Sequence, residues 1–375
     1  YIDDPENPGT CIEDPDANEW AFIVYLNADS NLDPAGWDDV AEMGVAGSSY
    51  QVHIVALFDT AGYEDDGHAR KIYITEGGYD VIEDMGEIDM GDWQTMRDFG
   101  IWAVQNYPAR HYAFIMWDHG SGWEKEEQSP LKGFSYDDSS GNNISVSNGD
   151  YAAALEGITD YLGDKLDIVG HDECLMQMWE VAAASAPYAH YIVASEETEP
   201  FDGWPYDDFL PGLVADPLNT SPLDLATAIV DAYHDADSGN STLSAIDLDT
   251  MGDLNATISG FADALMDHPD LYSQVDTVRS NTQGFYGYGF RDLKHFAMGV
   301  AAMAGVPGDL QAAANALVAQ LDVTIAHYQS QSYYTDAYGL SVYLPSSGSG
   351  VDAAYNDSGA VWSQQTTWDE FLQDF

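Results

Sequence analysis

Short unbroken apolar runs along the chain alternate with segments whose apolar positions recur at helical spacing. Trp20-Ala-Phe-Ile-Val-Tyr-Leu26 is the first such run; rich in β-formers, it predicts a buried strand. It closes in a polar turn, Asn27 to Asp33, that leads into a helix over 34–43. Strands are predicted over 51–58 and 71–75, and the acidic stretch 77–92 offers an edge hairpin. Asp92 reads as the cap of a helix to about residue 107, with Met96, Phe99, Ile101, Trp102 and Val104 as its apolar positions. A strand over 112–117 follows, then a long polar, glycine-rich loop over 120–147. A helix over 149–162, a strand over 166–170, a helix from beyond Cys174 to about residue 186 and a strand over 191–194 complete this half.

Strand–helix alternation of this kind predicts an α/β fold with a mostly parallel central sheet and helices on both faces, an α/β/α sandwich. Further on, helices are predicted over 222–235, 251–266, 292–304 and 308–330, with strands over 242–247 and 339–344. Neither an internal repeat nor a clear linker is visible. Three stretches are expected: an acidic leader over 1–19, an α/β core over 20–215, and a part over 216–375 that completes the sheet and adds C-terminal helices.

The charge balance narrows the partners. The chain carries 65 acidic against 10 basic residues, a net −55. Phosphate contacts need clustered Lys and Arg, so nucleic acid and anionic membrane surfaces are excluded as partners. Cationic peptides and divalent cations would be attracted. Bulk charge of this size reads first as adaptation to high salt, with a calcium-rich surface as the other source. The chain has no apolar run of 18 residues, which excludes a membrane-spanning helix. No signal peptide is visible, and a start at Tyr1 rather than Met fits either a leader already removed or a trimmed chain. The two cysteines, Cys11 and Cys174, are too few for a disulfide scaffold. A bridge between them would silence either thiol.

The candidate chemistry sits at two strand ends. The first reads Trp117-Asp-His119-Gly-Ser-Gly-Trp123, the second His171-Asp-Glu-Cys174-Leu-Met176. Open α/β sheets build sites beyond the carboxyl ends of their strands. An imidazole and a thiol delivered there suggest a base and a nucleophile. A His about 50 residues upstream of the Cys is the caspase arrangement. Between a strand end and a helix start, Cys174 is expected to gain thiolate character from the helix N-terminus. Asp172 and Glu173 oppose this, and are expected to point away from the sulfur into the cleft. The backbone N–H groups of Gly120 and Cys174 form a candidate oxyanion hole. Asp118 either orients His119 or faces solvent. A zinc site from His119, His171 and Cys174 lacks a further ligand at a usable spacing. Asn27, Asp29, Asn31 and Asp33 alternate like an EF-hand loop but lack its sixth-position Gly and twelfth-position Glu. The aromatic turn of Phe285, Tyr286, Tyr288 and Phe290 either covers the site or packs.

These residues resemble the clostripain family of cysteine peptidases, the C11 group of clan CD, which shares the caspase–gingipain fold. The resemblance rests on Trp20 to Leu32, on Trp117-Asp-His-Gly-Ser-Gly-Trp123 and on Asp172-Glu-Cys-Leu-Met176. It continues through Ala194-Ser-Glu-Glu-Thr-Glu-Pro200, Asp202-Gly-Trp-Pro-Tyr206, Ser244-Ala-Ile-Asp247 and Gly339-Leu-Ser-Val-Tyr-Leu-Pro345. It implies a caspase-like catalytic core over 20–215. It implies a secreted endopeptidase with Cys174 as nucleophile and His119 as acid–base, cleaving after Arg or Lys. Asp172 and Asp202, by motif position, would line an acidic S1 pocket, and paired carboxylates do recognise guanidinium and ammonium. It implies a zymogen that cuts itself between His and Cys, at Lys132, 13 residues past His119, or at Lys125. Calcium activation is a trait of the family; no other cofactor is needed, and a monomer is expected. Glu173 departs from the small residue usual before the Cys. Two other readings stand: a silent binding protein holding basic peptides or calcium in an acidic cleft, and a Cys hydrolase or transpeptidase acting on Asn or Asp substrates.

Overall fold

A computed structural model of the chain describes residues 2–3, 11–12, 18–123, 133–236, 241–287 and 289–375. Strands β1 (Ile2–Asp3) and β2 (Cys11–Ile12) pair antiparallel. The body is one nine-stranded sheet. It takes β3 (Asn18–Ala28), β4 (Val52–Thr60), β5 (Ala69–Thr75), β6 (Gly78–Gly86) and β7 (Ala109–Trp117) from the first part of the chain. After the hairpin β8 (Phe134–Asp137) and β9 (Asn142–Ile144) come β10 (Leu166–Asp172), β11 (Ala189–Ala194), β12 (Thr242–Asp247) and, beyond β13 (Phe290–Asp292), β14 (Ile325–Ser330). Their order across the sheet is β14-β12-β11-β10-β7-β3-β4-β5-β6. The five central strands, β11, β10, β7, β3 and β4, run parallel. Two antiparallel strands close each edge. β13 pairs with β15 (Ser341–Tyr343) in a separate ribbon.

The unbroken apolar runs exist because both faces of the sheet are covered. In β3, Ala21, Ile23 and Tyr25 enter one core, while Trp20, Phe22, Val24 and Leu26 enter the other. Helices α2 (Trp93–Asn106), α3 (Asp150–Leu162) and α4 (Trp179–Ser185) cover the first face. Helices α1 (Asp33–Ala46), α5 (Tyr206–Ala215) and α6 (Pro222–Ala236) cover the second, through residues such as Val40, Leu210 and Ile229. Helices α7 (Met251–Met266), α8 (Tyr272–Asn281), α9 (Leu293–Ala301), α10 (Gly308–Thr324) and α11 (Trp368–Asp374) extend the first core. Each fully buried Leu or Ile adds roughly 1.5–3 kcal/mol over leaving it in water.

Four sequence expectations change. The loop over 120–147 holds the β8–β9 hairpin. The helix after Cys174 starts only at Trp179. The helix predicted over 308–330 stops at Thr324, and Ile325–Ser330 becomes a strand. Leu321 and Ile325 keep helical spacing, but β12 has an open edge and β14 satisfies its backbone. Helix α5 escapes a sequence reading because Pro211 lies inside it, where proline normally signals a break.

Candidate active site

Parallel pairing brings the two chemical segments side by side. β7 and β10 are neighbours, with Met116 opposite His171 and Trp117 opposite Asp172. The residues leaving those strands, His119 and Cys174, therefore emerge at one point on the carboxyl edge of the sheet. Gly120 lets them come close: a Cβ there would lie 2.4 Å from the Cys174 carbonyl oxygen and 2.9 Å from Glu173 Cβ. A bridge to Phe134 holds this turn, through the Ser121 N–H donating to the Gly133 carbonyl at 2.9 Å. Leu175 takes φ +67°, a left-handed conformation that a branched side chain adopts only under constraint. Its N–H donates to the Glu197 carbonyl at 3.1 Å, which turns the chain sharply after the thiol.

His119 and Cys174 line a cleft of about 240 Å³ together with Asn31, Asp172, Glu199 and Gly203. His119 Nε2–H donates to Asn31 Oδ1 at 3.0 Å. That bond assigns the proton to Nε2 and leaves Nδ1 as the free base. Burial lowers the imidazole pKa, with Asp138 acting in the opposite sense. Asp118 does not face solvent: it is 4% exposed and accepts the backbone N–H groups of Tyr136 and His119. Its own pKa is raised by burial.

Cys174 carries a free thiol. Its Sγ accepts the Glu199 N–H at 3.3 Å. Burial raises the thiol pKa, and Glu173, Glu197 and Asp172 raise it further against that one donor. The helix-terminus effect expected from sequence is displaced, because α4 begins five residues downstream of Cys174. The resting pair is thus a neutral thiol beside a neutral imidazole.

Asp172 lies at the cleft base, fully surrounded. It accepts the Trp204 N–H at 3.1 Å and the Tyr206 hydroxyl at 2.9 Å. Burial pushes its pKa up to about 6, against the bonds from Glu199, Tyr206 and Trp204. Burial pushes Glu199 well above the carboxylate range, and Asp172 adds to the shift. Both Glu199 oxygens are buried without a hydrogen-bond partner of good geometry. Two carboxyls in this position share one proton and keep one negative charge facing the cleft. Asp202 is exposed and lines a neighbouring cavity of about 470 Å³ with Asp38, Asp39 and Glu42.

Glu173 does not point into the cleft. Its Oε2 lies 2.7 Å from His171 Nδ1, and His171 Nε2 lies 3.0 Å from the Tyr151 hydroxyl. Burial holds His171 neutral, down to about 3. Both its nitrogens are engaged, so it supplies no metal ligand beside Cys174. Phe285 and Phe290 pack into the core, while the Tyr286 N–H donates to the Glu197 carboxylate. Lys125, Lys132 and Tyr288 lie outside the described residues. The sequence reading missed Asn31 as the partner of His119 and Glu199 as a cleft acid. The only signal for either was its place in a polar turn after a strand.

A thiol and an imidazole thus stand at adjacent parallel strand ends, beside a pair of covered carboxyls. The family model described as the clostripain family, peptidase C11, matches residues 24–375. The chain therefore belongs to the clostripain family. Clostripain of Hathewaya histolytica is 27% identical over 216 residues, covering 50% of this chain. The match spans 40% of that relative's length. Among solved structures, a secreted C11 cysteine protease from Bacteroides thetaiotaomicron, in complex with an irreversible peptide inhibitor, superposes with a TM-score of 0.71. It is 19% identical, with 94% of this chain and 100% of that one covered. An inactive zymogen C11 protease from Parabacteroides distasonis gives a TM-score of 0.68 at 18% identity, covering 96% of this chain and 99% of that one. At these identities the two structures establish the fold.

Proposed function

We propose that the protein is a cysteine endopeptidase cutting after Arg or Lys. The observation that carries this is one cleft holding His119 and Cys174 beside the buried Asp172 and the half-buried Glu199, whose carboxylate oxygens are covered. A guanidinium or ammonium entering that cleft meets a desolvated carboxylate, where a charge-assisted hydrogen bond is worth about 1.5–3 kcal/mol. Asp202, exposed at the rim, would add longer-range attraction.

Chemistry follows from the resting protonation. As Cys174 Sγ attacks the scissile carbonyl, its proton passes to His119 Nδ1. The carbonyl oxygen becomes an oxyanion, held by the N–H groups of Gly120 and Cys174. His119 then gives the proton to the leaving amine, which frees the C-terminal product and leaves a thioester. Water, deprotonated by His119, hydrolyses that thioester and returns the thiol.

Self-cleavage at Lys132 or Lys125, secretion, and calcium as activator or stabiliser belong to the same proposal. They draw support from the likeness to a secreted and to a zymogen C11 protease and from the acidic charge. Among the described residues no helix is long and apolar enough to cross a membrane.

The test is hydrolysis of short fluorogenic peptides ending in Arg, Lys, Asn or Asp, under reducing conditions, beside Cys174→Ala. Turnover after Arg or Lys that vanishes in the variant is expected. Turnover only after Asn or Asp would remove the acid pair from P1 recognition. Turnover that survives in Cys174→Ala would remove the nucleophile.

A further inference from the structure

Two arginines stand apart from the other basic side chains. With 65 acidic residues against 10 basic ones, a cation on this chain readily finds a carboxylate. Arg70, Arg97, Arg110, Lys71, Lys165 and Lys294 each hold one at ion-pair distance. Among the described residues, Arg279 and Arg291 hold none, and their printed bonds all run to backbone carbonyls. Yet Arg279 is buried and Arg291 half-buried, where an unpaired charge is least favourable.

The two lie together. Arg279 is in the last turn of α8, and Arg291 is the middle residue of β13. Arg291 Nε donates to the Arg279 carbonyl at 3.4 Å, and Arg291 Nη1 to the Phe290 carbonyl at 2.6 Å. Arg279 Nε donates to the Leu344 carbonyl at 2.8 Å. Gly284 lets Arg291 lie against the backbone: a Cβ there would come 2.6 Å from Nη1. Each guanidinium is thus fixed by one edge. Both η nitrogens of Arg279 and Nη2 of Arg291 hold no partner among the described residues. Burial lowers the pKa of both, and the Arg279 charge lowers Arg291 further, while Asp276 raises Arg279.

Both arginines line one cavity of about 640 Å³, between α8, β13 and the segment after β15, with Tyr343, Pro345, Ser346 and Asp352 on its walls. It shares no lining residue with the catalytic cleft. The nearby acids are tied to backbone donors. Asp276 Oδ1 accepts the Ser347 N–H at 3.1 Å, and Asp352 Oδ1 accepts the Ala354 N–H at 2.7 Å. Neither reaches a guanidinium at ion-pair distance. The C-terminal end of α8 favours a cation, which accounts for the place of Arg279. It does not account for a second arginine beside it, or for three open η nitrogens. Two adjacent, partly desolvated cations are unfavourable unless an anion completes them.

We infer that Arg279 and Arg291 form a binding site for an oxyanion, the carboxylate or phosphate group of a small organic ligand. Guanidinium forks take either group through paired N–H donors. The cavity is of the size that encloses a whole small molecule, so the anion is one end of a larger ligand. Tyr343 and Pro345 give that ligand an apolar wall. The net −55 repels polyanions such as nucleic acid or acidic protein segments, which leaves ligands of one or two charges. Asp352, on the same wall, discriminates against a second anionic group. The inference does not depend on whether the cleft hydrolyses peptides.

The test is calorimetric titration of the Cys174→Ala protein with sodium benzoate, phenyl phosphate and neutral benzamide, at one fixed ionic strength so that bulk charge is equally screened. The three probes share a ring and differ in the group offered to the arginines. One saturable site is expected for at least one of the two anions, and none for benzamide. Tighter benzoate assigns a carboxylate; tighter phenyl phosphate assigns a phosphate ester. Arg279→Gln and Arg291→Gln should each weaken binding by roughly tenfold or more, the loss of one charge-assisted bond. Arg97→Gln, which removes a paired surface arginine, should leave it unchanged. Arg291→Gln, at the half-buried position, carries the test if Arg279→Gln fails to fold. It should melt no lower than its parent without an anion, because a like charge is gone, and gain nothing when the anion is added. Saturation by neither anion would overturn the site. So would equal titrations of the parent and Arg291→Gln, or an anion-induced rise in melting temperature that survives in Arg291→Gln.

Discussion

Replacing Asp172 by Asn leaves its shape and its hydrogen-bond acceptor in place and removes only the charge. An amide oxygen in the place of Oδ2 still takes the Trp204 N–H and the Tyr206 hydroxyl, which now sit 3.2 and 2.9 Å from that atom. Folding should therefore survive. A basic P1 side chain loses one charge-assisted bond to a buried carboxylate, about 1.5–3 kcal/mol. That converts to a fall of roughly 10- to 150-fold in kcat/KM for Arg and Lys substrates. A substrate with a neutral P1 residue should change less than about threefold, since the thiol and imidazole are untouched. The pH dependence adds a second mark. Asp172 has a pKa of about 6, so KM for Arg substrates should climb as pH falls through 6 in the parent and stay flat in the variant. Asp202→Asn, at an exposed rim, should cost less than about 1 kcal/mol. The assay is steady-state hydrolysis of matched Arg and neutral-P1 peptides from pH 5 to 8. Equal losses for both peptides would refute the reasoning, as would a larger effect from Asp202→Asn than from Asp172→Asn.

Three further outcomes follow. Asn31→Ala releases His119 Nε2 and should lower kcat about tenfold with KM unchanged, while Asn31→Asp places a carboxylate there and should move the acidic limb of the pH–rate profile upward; a profile unchanged in Asn31→Asp would contradict the contact. Gly120→Ala drives a methyl against the Cys174 carbonyl, 2.4 Å from where its Cβ would sit, and should cost about 1–3 kcal/mol of stability together with most of the activity; a variant as active and as stable as the parent would show that the turns are not this close. Glu180, buried and raised by burial to about 7, binds its proton more tightly folded than unfolded, so its contribution is complete below pH 4.5 and lost as pH rises through 7, about 3 kcal/mol in all; Glu180→Gln should flatten the fall in melting temperature between pH 5 and 8, and an unchanged slope would assign that fall elsewhere.

The parts legible from sequence were those set by local pattern. The run from Trp20 to Leu26 announced a strand covered on both faces, and β12 and α7 fall where their apolar positions place them. His119 and Cys174 stood out because each follows such a strand, and parallel pairing of β7 with β10 does the rest. What escaped depends on the chain returning from a distance. Glu199 reaches Cys174 from the loop after β11, 25 residues on. Asn31 reaches His119 across 88 residues. The thiol's helix-terminus effect failed because the turn at Leu175, with its positive φ, delays α4. Ile325–Ser330 misled for a related reason: its residues permit helix or strand, and only the open edge of β12 decides.

The central claim is that Cys174 is a nucleophile aimed at a carbonyl beside a basic P1 side chain. Its most direct test is intact-protein mass after reaction with a peptidyl electrophile ending in Arg, under reducing conditions, beside Cys174→Ala and Asp172→Asn. One adduct mapping to Cys174 is predicted, absent from Cys174→Ala and at least tenfold slower to form in Asp172→Asn. An adduct on any other residue, or none on the native protein, would contradict the account.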